Sequence, residues 1–77
     1  MDDKKLEFSV QPFDRIMEEL GLRNHDLVEA SSEPLTHKQI QKGRKGRRLS
    51  PRIQRRIVSS LNGLAEVSYI VSDLFTY

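Results

Sequence analysis

Between residues 34 and 62 the chain carries nine cations, Lys38, Lys42, Arg44, Lys45, Arg47, Arg48, Arg52, Arg55 and Arg56, and no acid. Nine of the 11 acids stand instead in residues 1–33, so a formal net charge of +2 conceals a strongly dipolar chain. One cationic face of this kind is the electrostatic footprint of a polyphosphate partner; a merely solvated basic surface is the plain alternative. Other chemistries fare worse. With no cysteine and only His25 and His37, neither a disulfide framework nor a zinc site is expected. Cysteine-free composition fits a reducing cytoplasm. No nucleophile–base pair or phosphate-cradling glycine loop supports an enzyme, and no cofactor or small-molecule effector is indicated. No apolar run is long enough to span a membrane, and the start of the chain does not read as a signal peptide. The five aromatic residues lie outside the basic segment, which leaves no stacking platform for single strands.

At 77 residues there is room for one domain. Its elements can be read from caps and periodicity. Leu6, Phe8 and Val10 alternate with polar residues as a short strand would. Pro12 suits a first helical position, Phe13, Ile16, Met17 and Leu20 form a stripe, and Gly21 ends a helix over 12–20. Asn24 reads as the N-cap of a short helix that turns Leu27, Val28 and Ala30 inward, and Ser31–Pro34 ends it. The next start is the clearest. Thr36 and Gln39 form a capping box, with Leu35 placed to staple onto Ile40, and the helix runs over 37–44. Ile40 is its only strongly apolar residue, so most of its surface is left to another purpose. Ser50-Pro51 opens a further helix with Ile53, Ile57, Val58 and Leu61 inward, stopped by Asn62-Gly63. Val67, Tyr69, Ile70 and Val71 favour a strand, and Ser72–Phe75 a last helical turn.

Over roughly residues 12–62 this order resembles the lambda-repressor/Cro-like helix-turn-helix family. Leu27-Val28 correspond to the family's Leu-Ala pair, Leu35-Thr36 to its Val-Ser or Val-Thr entry, Ile40 to the Ile within the second helix, and Arg44-Lys45-Gly46 to its Glu-X-Gly closure. Val28 replaces Ala, the 31–34 turn is about two residues longer, Gly43 stands where an apolar residue is usual, and Arg44 replaces Glu. The fold expected is an all-α, compact four- to five-helix domain with short terminal strands as an option. Residues 1–11 would form an arm, 12–62 the helix-turn-helix domain, and 63–77 an apolar extension.

The resemblance implies sequence-specific binding of double-stranded DNA by a small, repressor-like transcriptional regulator associated with the nucleoid. His37, Lys38, Gln41 and Lys42 would then meet bases: Lys suits guanine O6 and N7, Gln the adenine N6/N7 edge, and His an N7 or O6 acceptor. Asn24 and Thr36, at helix starts, are expected on phosphates. So are Arg44, Lys45, Arg47 and Arg48, because a glycine-containing loop holds no side chain rigidly, although this run also suits a narrow minor groove. Arg52 is a further phosphate candidate, with Arg55 and Arg56 simply solvated. An RNA-binding basic module, and an antitoxin or adaptor using Tyr69, Ile70, Leu74 and Phe75, are the competing readings. Those four residues either form a homodimer contact or fold back to complete the core.

Overall fold

The computed structural model describes residues 11–76, which form five helices and, among the described residues, no strand. They are α1 (Pro12–Leu20), α2 (Asn24–Ala30), α3 (His37–Arg44), α4 (Pro51–Ala65) and α5 (Val71–Leu74). The expected strand at Leu6–Val10 lies outside the described residues. Four boundaries fall where the caps put them. Pro12 opens α1 and Gly21 closes it in the left-handed conformation, φ 67°. The Thr36 hydroxyl accepts from the Gln39 N–H, and the Gln39 side chain accepts from the Thr36 N–H. Ser50 accepts from the Ile53 N–H at the start of α4.

A core of Phe13, Met17, Leu27, Leu35, Ile40, Leu49, Ile57, Val58, Leu61, Leu74 and Phe75 joins all five helices. Val28 packs half-buried against it, whereas Ala30, expected inside, is exposed. The 31–34 turn is braced from two sides. Ser31 Oγ donates to the Glu33 carbonyl and accepts from its N–H, while Arg56 donates to the Glu33 carboxylate and to the Pro34 carbonyl, both at 2.9 Å. Arg56 is therefore a brace, contrary to the solvated role expected for it.

The C-terminal part departs furthest from expectation. Asn62-Gly63 does not stop α4, which continues to Ala65 and ends at Glu66 in the left-handed region, φ 56°. Asn62 instead tethers the returning chain: its amide donates to the Tyr69 carbonyl and accepts from the Tyr69 N–H. The Tyr69 N–H and C=O, which a strand would offer to a sheet, are thereby satisfied, and residues 67–70 are irregular chain leading into α5. Leu74 and Phe75 are buried, Phe75 lying 5.4 Å from Phe13 between ring centroids. Thr76 donates through N–H and hydroxyl to Gln11 Oε1, at 2.7 and 2.8 Å. The apolar tail completes the core, so Leu74 and Phe75 are not a free dimer surface. Of the four residues expected to pair copies, Tyr69 is half-buried and only Ile70 is well exposed, at 62%.

The α4 terminus offers a direct stability test. A Cβ at Gly63 meets nothing within 4 Å, and an exposed helical Gly→Ala change gains about 0.5–1 kcal/mol. Glu66 bears the strain of a left-handed backbone, which glycine relieves. Gly63→Ala with Glu66→Gly is expected to stabilise by about 1–2 kcal/mol, raising Tm by about 4–8 °C per kcal/mol in a thermal melt. No rise in Tm would place the helix end elsewhere.

Candidate nucleic-acid interface

Helix α3 has little to bury. Ile40 and Gly43, three residues apart, are its buried positions, and Leu35 and Leu49 seal the core at either end of it. Gly43 is required by contact. A Cβ there would sit 2.8 Å from Leu49 Cδ1 and 3.5 Å from the Phe13 ring, so the helix lies against the core at glycine distance. A larger apolar side chain at this position has no space here.

A second anchor is polar. Arg44 Nε donates to Asp14 Oδ1 at 2.7 Å, one terminal nitrogen to Glu18 Oε2 at 2.8 Å, and the other to Asn24 Oδ1 at 3.0 Å. Its side chain is only 16% exposed. Arginine has no acceptor, so Asn24 must turn its oxygen to Arg44 and its nitrogen to Gln41. That nitrogen donates to Gln41 Oε1 at 3.0 Å. The relay ties α1, α2 and α3 together and leaves Gln41 with its amide hydrogens foremost.

Two expected phosphate contacts are thereby reassigned. Arg44 is an internal brace, because three of its five N–H donors go to Asp14, Glu18 and Asn24 and its side chain is largely covered. Asn24 is the first residue of α2 and not its N-cap; the cap is Arg23, whose N–H donates to Asp26. With a carboxylate at this helix start, a phosphate there would meet like charge. Removing Arg44 leaves two carboxylates facing each other, so Arg44→Met is expected to cost about 2 kcal/mol in chemical denaturation. The cost should shrink in an Asp14→Asn background; equal costs in both backgrounds would mean the pair is not coupled.

What α3 turns outward is basic. Lys38, Gln41, Lys42 and Lys45 recur at i, i+3, i+4 and i+7, on one helical face. With Thr36, Gln39 and Arg47 they line an open groove of about 550 Å3 that has no acid in its walls. The segment after α3 is more ordered than its glycines suggested. Gly46 adopts φ 91°, its N–H donates to the Gly43 carbonyl, and the Arg47 N–H donates to the Lys42 carbonyl. This double bond pattern is a Schellman end, which fixes Lys45 and Arg47 against the groove.

Of the remaining candidates, Thr36 is in the wall of that groove and His37, Arg48 and Arg52 are not. His37 stands exposed at the leading end of α3, its ring stacked on His25 at 5.6 Å and 10°. His25 Nε2 lies 3.2 Å from Glu29. Thr36 keeps only its hydroxyl hydrogen for a ligand, its N–H being taken by Gln39. Arg48 is exposed beyond the groove. Arg52 lines a different cleft with Arg55 and Arg56, sharing no wall residue with the first.

Sequence reading missed the Asp14–Glu18–Arg44 cluster and the Asn24–Gln41 bond. The signal for the first was two acids one turn apart on α1, where only pairing brings a cation into a half-buried position. Comparison of the chain with models of known protein families, with curated proteins and with solved structures finds no match.

Proposed function

We propose that the protein binds double-stranded DNA sequence-dependently, laying α3 in the major groove as a small, repressor-like transcriptional regulator of the cytoplasmic nucleoid. In this reading α2 and α3 are the two helices of a lambda-repressor-like helix-turn-helix, joined by the Arg56-braced turn. The observation that carries it is the outward face of α3: three lysines and a pre-oriented glutamine on a helix locked from behind by Gly43 and Arg44. An element held this firmly, with so few apolar residues of its own, is suited to presenting side chains. Lys38 and Lys42 meet guanine O6 and N7. Gln41, its oxygen engaged by Asn24, leads with donors and so favours acceptor edges over the adenine N6/N7 pair. Lys45, Arg47 and Arg48 grip phosphates on either side, and His37 approaches from the leading end.

The B-form major groove admits a helix, whereas the deep, narrow major groove of duplex RNA does not. Fluorescence anisotropy over a salt series, with duplex DNA and duplex RNA in parallel, tests the assignment. DNA should bind more tightly, with a slope of about −0.9 per neutralised phosphate. Arg47→Ala with Arg48→Ala should weaken all duplexes alike and flatten the slope by about 1.8, two lost contacts. Equal binding to RNA would refute the major-groove mode.

A further inference from the structure

We infer that the cleft between the 31–33 turn and α4 is a binding site for a phosphate group. Ser31 and Glu33 stand on one side and Arg52, Arg55, Arg56 and Ser59 on the other, around about 400 Å3. The α4 residues 52, 55, 56 and 59 are spaced as one helical face, so three guanidinium groups and a hydroxyl converge from a single rigid element. Arg52 and Arg55 make no ion pair among the described residues. Arg56 already holds an anion, the Glu33 carboxylate, by one bond from Nε at 2.9 Å.

Glu33 is thus an internal stand-in at the rim of the cleft, with a side chain 62% exposed and displaceable. One carboxylate against three guanidinium groups leaves two positive charges unneutralised. Arginine presents a planar fork of donors, and phosphate is the ligand whose oxygens match several forks at once. The volume leaves room for part of the group that carries the phosphate. A phosphate taking Arg56 from Glu33 would also remove one of the two bonds by which Arg56 braces the 31–34 turn. Occupancy is thereby communicated to the link between α2 and α3.

Two sources offer this chemistry: a phosphate-bearing small molecule and the backbone of a nucleic acid. The inference does not rest on the reading of α3, because its first arm contains no nucleic acid. Titrating the full 15N-labelled chain with inorganic phosphate at fixed ionic strength should give saturable shifts at the Arg52, Arg55 and Arg56 side chains and the amides of residues 31–33. Arg52→Ala with Arg55→Ala, both at exposed positions, should abolish saturation while leaving the spectrum otherwise folded. Glu33→Gln should tighten binding by roughly two- to fivefold, the worth of one exposed ion pair. Lys38→Ala with Lys42→Ala should leave phosphate binding unchanged. Repeating the titration with saturating duplex DNA separates the sources: retained phosphate affinity identifies a small-molecule site, and competition identifies a backbone contact. Linear shifts spread over all cations, saturation that survives in the double arginine variant, or no tightening in Glu33→Gln would each overturn the inference.

Discussion

Gly43→Leu is expected to destabilise the domain by about 3 kcal/mol, although it adds apolar surface to a buried position of α3. Against a total of about 4–10 kcal/mol for a chain of this size, that is a large fraction. The cause is the 2.8 Å approach of a Cβ to Leu49 Cδ1, with the Phe13 ring at 3.5 Å on the other side. Neither neighbour has room to withdraw, since Leu49 and Phe13 are both in the core. Chemical denaturation of the single variant and of Gly43→Leu with Leu49→Ala checks the mechanism. Truncating Leu49 alone should also destabilise, but the double variant should recover part of the combined loss, because the added side chain then occupies the vacated volume. Strict additivity would mean that the two residues do not contest one space.

The second large effect is on binding. Lys38→Ala and Lys42→Ala should each cost about 1–3 kcal/mol against the preferred duplex and much less against unrelated duplexes, so the preference itself collapses. Both side chains are exposed on α3 and pack on nothing in the core, so the melting temperature should not move. The arginine pair Arg47 and Arg48 should behave oppositely, lowering affinity evenly and preserving preference. Competition binding with preferred and unrelated duplexes distinguishes the two classes. Identical behaviour would remove the division between reading and gripping residues.

The limits of the helices that open with a cap residue were legible because capping is local. Gly21, Thr36 with Gln39, and Ser50 each satisfy backbone groups within a few residues, and Pro12 removes a donor that would lack a helical partner, so three or four letters specify a boundary. Asn24 and Asn62 misled for the opposite reason. Each is a good capping residue by type, but each has a partner distant in sequence or across a turn: Arg44 and Gln41 for the first, Tyr69 for the second. A long-range hydrogen bond outcompetes the local cap, and no short window of sequence contains it.

The site was legible to a similar depth. Exposure of Lys38, Gln41 and Lys42 followed from the helical period and the lone Ile40. The fate of Arg44 did not, because one cation among nine looks like any other until the acids of α1 are brought beside it. Likewise the apolar residues of the tail were visible as apolar, but only the closing of Phe75 onto Phe13 assigns them to the core. Hydropathy specifies that a residue be covered; topology specifies by what.

Selection of bound duplexes from a random pool tests most directly whether α3 reads base sequence. The expected result is an enriched consensus of contiguous base pairs within one major-groove segment, rich in guanine, with positions that lose preference when Lys38 or Lys42 is replaced by alanine. A pool that binds without enrichment, or a consensus unaltered in those variants, would contradict it.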